Sequence, residues 1–148
     1  MANIKLIQIG KNKDKLLKDK IEYYSKIINS DSKFEIIELK DQNKKTSEKE
    51  FRDIISKTKS NFIFILSEEG KEYTSKEFSK RIKSISETYK NIIFCIGGPA
   101  GFEKPITWGD EIISISKMTF THEMCQLFLI EQIYRAIEIK KGSKYHRD

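Results

Sequence analysis

Apolar residues recur along this chain in two alternating rhythms. Residues 4–9, Ile-Lys-Leu-Ile-Gln-Ile, read as a half-buried strand closed by Gly10, after which Leu16, Leu17, Ile21, Tyr24, Ile27 and Ile28 return at helical spacing. The unit repeats with a strand over 34–39 and a helix over about 47–57, opened by the capping-box pattern Ser47-x-x-Glu50. A third unit begins with the continuous apolar run 62–66, typical of a parallel strand covered on both faces. Its helix is capped by Thr74-x-x-Glu77 and ends near Tyr89. A fully buried strand at 92–96 follows, then a break in regular structure at 97–102, a strand at about 112–115 and a long helix from about 121 to 140. This order predicts an α/β protein with a mostly parallel sheet and helices on both faces.

The chain has 148 residues, 38% of them hydrophobic, enough to fill one ordinary core, so a single domain over 1–148 is expected. The longest uncharged apolar stretches are strand-length, far below the roughly 20 residues of a membrane span. The opening residues Met1 to Lys5 lead directly into a strand and lack a signal peptide's apolar core, so the reading is a cytoplasmic protein with no membrane partner. Cys95 and Cys125 have apolar neighbours and no C-x-x-C spacing, which favours reduced packing residues over a disulfide or a zinc site. The net charge of +6 favours a polyanionic partner, although most of the basic residues are lysines that suit any solvated surface.

In a parallel sheet, ligands bind beyond the carboxyl ends of the strands. Gly97-Gly98-Pro99-Ala100-Gly101-Phe102 holds three of the seven glycines immediately after the most apolar strand. It is neither a G-x-G-x-x-G fingerprint nor a phosphate loop, so classical dinucleotide binding and P-loop hydrolysis are disfavoured. The segments Leu66-Ser67-Glu68-Glu69-Gly70 and Ser114 to Phe120 leave strands at the same edge, and three backbone-rich loops there would suit a flat adenine. Two distant histidines, His122 and His146, make a poor metal site. His122, at a helix start, reads first as a cap or packing residue. The tail Tyr145-His146-Arg147 could stack on a base and meet a phosphate. Arg135 reads first as an ion-pair partner of Glu131 or Glu138, and the broad apolar face of the last helix leaves room for a helix-to-helix dimer contact.

Four motifs in order then carry a resemblance: Ile96 to Gly101, Ser114-x-Ser116-Lys117-Met118-Thr119-Phe120-x-His122, Leu129-Ile130-Glu131-Gln132-x-Tyr134-Arg135-Ala136, and Tyr145-His146-Arg147. Together they closely resemble the large-subunit rRNA methyltransferase H family of the SPOUT superfamily, over the whole chain. The resemblance implies a C-terminal trefoil knot, which general rules of chain topology would have argued against. It implies a homodimer that uses S-adenosyl-L-methionine to methylate N3 of a pseudouridine in 23S rRNA of the assembled ribosome. By position, the cofactor would be held by Leu66, Gly97, Ile115, Ser116, Lys117, Met118, Thr119 and Phe120. His146, Arg135 and Tyr145 would be catalytic, His122 and Arg147 would meet RNA, and the tail of one subunit would reach the cofactor of the other. Two positions depart from the family pattern: Thr121 replaces a proline, which would loosen the turn into the last helix, and Ala100 stands where some members carry an acidic residue. Two other readings stay open at this stage: a non-catalytic ribosome-associated RNA-binding protein, and a nucleotide-binding enzyme of flavodoxin-like architecture.

Overall fold

The structure is a computed structural model that describes residues 1–147. Among the described residues nine elements follow one another, strand and helix alternating up to β4: β1 (Asn3–Ile9), α1 (Lys15–Asn29), β2 (Phe34–Leu39), α2 (Lys44–Ile55), β3 (Asn61–Glu72), α3 (Ser75–Thr88), β4 (Asn91–Ile96), β5 (Glu111–Ser114) and α4 (His122–Lys141). The five strands form one parallel sheet in the order β2-β1-β4-β3-β5.

The period-2 pattern of the strands decides which helix covers which face. Ile4 and Leu6, Phe62 and Phe64, and Ile92, Phe94 and Ile96 point to one side and pack with Ile21 and Ile28 of α1, Phe78 and Ile82 of α3, and Leu129, Ile130, Ile133 and Ile137 of α4. Phe64 and Phe94 stack there at 5.0 Å with rings nearly parallel. Ile7, Ile9, Ile65, Ile93 and Cys95 point to the other side and meet Phe51 and Ile55 of α2 together with Phe102. Helices therefore lie on both faces, as the alternation predicts.

The segment between β4 and β5 completes the second face. Trp108 and Phe102 close an aromatic cluster with Phe51 at centroid distances of 5.5–5.8 Å. Asp110 clamps the segment to the sheet, its carboxylate accepting from Ile63 N–H and its own N–H donating to Ile63 C=O, both at 2.8 Å.

Three local expectations change. The second helix begins at Lys44, not Ser47, because the Asn43 side chain accepts from Thr46 N–H at 2.9 Å and Ser47 turns into the core. The segment 66–70 is not a loop leaving β3 but an excursion within it: Ile113 pairs with Leu66 and again with Lys71, so the four residues between bulge out of the ladder. Thr121 does not loosen the entry to α4. It is the N-cap, its Oγ1 accepting from Met124 N–H at 3.3 Å, a bond proline could not offer and one typically worth about 1 kcal/mol.

Candidate active site

The carboxyl ends of β3, β4 and β5 open into a cavity of ≈ 690 Å³. Its walls are the excursion at Leu66, Ser67 and Glu68, the run from Ile96 to Phe102, and Ile115, Ser116 and the segment from Met118 to His122, with Cys125 also lining it. Gly98-Pro99-Ala100-Gly101 is a tight turn in which Gly101 N–H donates to Gly98 C=O at 2.9 Å, and Gly101 takes φ +73°, a conformation that costs a side-chain-bearing residue energy. Gly97 packs so closely on this turn that a Cβ would stand 3.2 Å from Gly101 C and from the Phe102 ring. The loop after β5 is shaped from within: Ser114 Oγ donates to Ser116 C=O at 2.7 Å, and Ser116 Oγ accepts from Met118 N–H at 3.0 Å.

The cavity is thus walled by the glycine turn and by apolar side chains such as Leu66, Ile96, Phe102 and Phe120, with Lys13, Asp14, Glu68, Lys104, His122 and Glu123 around it. Most of these polar groups have partners. Glu123 accepts from Lys13 N–H, Lys104 pairs with Glu69 at 2.6 Å, and His122 Nε2 donates to Lys11 C=O at 3.3 Å. The Cys125 thiol is pushed up to about 11, by burial first and by the charge of Glu68 second, and burial drives Cys95 higher still, so both stay protonated at neutral pH.

A second constellation gathers at the other end of α4. Gly142, in the left-handed region at φ +72°, ends the helix, and Ser143 N–H reaches back to Glu138 C=O at 3.1 Å, which reverses the tail. The reversal brings Tyr145 edge-on to Tyr134 at 4.7 Å and lets its hydroxyl donate to Glu131 at 2.9 Å. Arg135 pairs with the same carboxylate at 2.6 Å and lies over the Tyr145 ring at 4.7 Å. The Glu131 hydrogen bond raises the Arg135 pKa, and burial, then Tyr24, then Glu131 raise that of Tyr145, which stays a phenol. Arg135 Nη1 also meets His146 Nδ1 at 3.2 Å. Guanidinium can only donate, so Nδ1 accepts. Thirteen residues of helix separate His122 from Arg135, about 20 Å at 1.5 Å per residue.

Between the two ends runs a cavity of ≈ 620 Å³ that shares Ile115, Ser116 and Phe120 with the first and reaches Glu131 and Gln132. Leu127 and Phe128 of α4 line it and are only half-buried. Among the described residues no three His, Cys, Asp or Glu side chains are grouped to hold a metal ion, and no helix is long and apolar enough to cross a membrane.

A family model described as "Predicted SPOUT methyltransferase" matches residues 2–146. The chain belongs to the SPOUT methyltransferase family. Proteins named ribosomal RNA large subunit methyltransferase H are 40% identical in Streptococcus uberis and in Streptococcus suis and 38% identical in Streptococcus pneumoniae, each over 97% of this chain and 99% of the relative. Among solved structures, the SpoU methyltransferase AviRb from Streptomyces viridochromogenes, crystallised with AdoMet, matches with a TM-score of 0.50 at 7% identity, over 96% of this chain and 59% of that one. At that identity the likeness speaks for the fold.

In this SPOUT chain, Leu66, Gly97, Ile115, Ser116, Met118, Thr119 and Phe120 all line the first cavity, as does His122. Lys117 is exposed and does not line it, and Met118 is 74% exposed. Arg135, Tyr145 and His146 meet one another at the far end of α4, with Arg147 exposed beyond them. Sequence reasoning saw Glu131 only as a candidate surface partner, whereas it is the hub that Arg135 and Tyr145 share; its i,i+4 spacing to Arg135 was the available signal. Glu68 was read only as part of the segment 66–70 and Tyr24 only as an apolar position of the first helix, and nothing in the sequence pointed to Lys104.

Proposed function

We propose that this protein transfers the methyl group of S-adenosyl-L-methionine to N3 of a pseudouridine in 23S rRNA, acting in the cytoplasm as a homodimer on the assembled ribosome. The observation that carries the reading is the arrangement along α4: a cavity built around the glycine turn at its amino end and an Arg-Tyr-His cluster about 20 Å away at its carboxyl end. Transfer requires acceptor and methyl carbon within about 3–3.5 Å. One copy cannot bring its own two ends together, whereas two copies packed through the half-buried Leu127 and Phe128 faces can bring the tail of one to the cavity of the other. The protein acts as one domain, with the segment after β5 threaded into the family's trefoil knot.

The bound cofactor supplies an activated methyl group as a sulfonium. Gly97 and the loop from Ile115 to Phe120, together with Leu66, hold its adenosine by main-chain groups, while Lys117 stays at the rim. His122 lies at the mouth, where RNA enters. On the acceptor side, N3–H loses its proton to solvent, and the uracil-like anion that remains is stabilised by donors. Arg135, fixed by Glu131, supplies one. His146, held against that guanidinium through Nδ1, lies beside it on the acceptor side. Tyr145 braces the guanidinium, and Arg147 meets phosphate. Much of the specificity comes from ribosomal features beyond the reach of a domain of this size.

The test is calorimetric titration with S-adenosyl-L-methionine, followed by methylation assays on intact ribosomes and on an isolated 23S stem-loop. Cofactor binding with activity on ribosomes and little on the stem-loop is expected. Absence of binding at millimolar cofactor would leave an RNA-binding protein without methyl-transfer activity, and equal activity on the stem-loop would remove the ribosome from the account.

A further inference from the structure

The excursion in β3 does something a hairpin or a plain strand end would not. Between Leu66 and Lys71 four residues leave the ladder and return to the same partner, Ile113. The return is possible only at glycine: a Cβ on Gly70 would lie 2.6–2.7 Å from the backbone of Ile112 and Ile113. Glu69 then ties the excursion across the cavity mouth to Lys104 at 2.6 Å. Held by this pair and by its close return, the excursion turns Ser67 and Glu68 toward the cavity.

The charges around that cavity are unequally committed. Asp14 caps α1 by accepting from Leu16 and Leu17, Glu123 accepts from Lys13 N–H, and Glu69 and Lys104 satisfy each other. Glu68 lines the same cavity yet makes no hydrogen bond or ion pair among the described residues. Its field reaches two other lining residues, Cys125 and Lys104, although the Lys104 ammonium itself is hydrogen-bonded to Glu69.

We infer that Glu68, presented by the β3 excursion, binds the α-ammonium group of the cofactor's methionine end. The inference rests on the cofactor reading above. The backbone-rich inner walls suit the flat adenine, which leaves the charged amino-acid end toward the mouth, where Glu68 stands. The sulfonium is the poorer partner, because its charge disappears during transfer and a carboxylate beside it would stabilise the ground state over the transition state. The ammonium charge is unchanged by the reaction, so a carboxylate there strengthens binding without opposing chemistry.

Three ligands separate the possibilities by titration of the full-length wild type and Glu68→Gln: S-adenosyl-L-methionine, S-adenosylhomocysteine, and 5′-methylthioadenosine, which lacks the amino-acid end. The variant is expected to bind the first two about fivefold more weakly and the third unchanged, the scale of a partly exposed ion pair. Glu68→Asp should recover part of the loss. Equal weakening of all three ligands would make Glu68 merely structural, and unchanged affinity for all three would remove it from the site; either overturns the inference while the cofactor reading stands. Failure of the wild type to bind any of the three would overturn both.

Discussion

The two ends of α4 solve opposite problems. At the amino end, Thr121 caps the helix beside a cavity walled by the glycine turn at 97–101 and apolar side chains, with Lys13, Asp14, Glu68, Lys104 and Glu123 spread around it. At the carboxyl end, Gly142 folds the tail back and four side chains, Glu131, Arg135, Tyr145 and His146, interlock around one carboxylate and one guanidinium. In the proposed reading, the first end holds a ligand and the second presents hydrogen-bond donors. Their separation of about 20 Å means that the proposed chemistry needs two copies of the chain.

The comparison can be broken one end at a time. Gly97→Val forces branched carbons into contacts that a single Cβ already makes at 3.2 Å, so cofactor affinity should fall at least about a hundredfold by calorimetry while ribosome binding persists. Arg135→Ala should do the reverse, leaving cofactor affinity unchanged and lowering methyl transfer about a hundredfold, the usual scale for losing one preorganised donor. Smaller effects sharpen the contrast. Gly142→Ala places a Cβ at φ +72°, and Thr121→Ala removes the cap; each should cost about 1 kcal/mol in denaturant unfolding, but only the first should also slow transfer, by displacing the tail.

The smallest effect is at high pH. Burial first and the Glu131 and Tyr24 hydrogen bonds next hold the Tyr145 phenol above its ordinary value, and burial with Glu111 pushes Tyr73 up to about 12. A raised folded-state value means the associated stability is complete below about pH 10, where the unfolded phenol titrates, and is lost as pH climbs through the folded value. Tyr73→Phe should therefore flatten the stability profile between about pH 10 and 12, and Tyr145→Phe should do so while leaving cofactor binding untouched.

The regular half of the molecule was legible because burial writes itself as periodicity. Ile4 to Ile9, Phe34 to Leu39 and Ile92 to Ile96 alternate or run apolar as their positions in a two-faced sheet require, and the structure returns them within a residue. The irregular parts were harder for physical reasons. Thr74 was readable as a cap, but Asn43 was hidden by the stronger pattern at Ser47, whose side chain is buried instead. The β3 excursion could not be read because Leu66 and Lys71 share one partner, Ile113, on a strand far along the chain, a long-range fact with no local signature. Candidate site residues at 97–102 and 115–120 were legible from glycine density and motif, whereas the grouping of Arg135 with Tyr145 and His146 depends on the reversal at Gly142.

Mixing the two crippled chains tests the composite site most directly. Gly97→Val and Arg135→Ala chains, co-expressed with different tags and purified as an equal mixture, should form heterodimers in which one cavity is intact and faces an intact tail from the other chain. Methylation should recover to about a quarter of the wild-type rate, since about half of randomly assorted dimers are mixed and each carries one good site of two. Activity no greater than that of the two variants assayed separately would show that each copy uses its own tail, and would contradict the account.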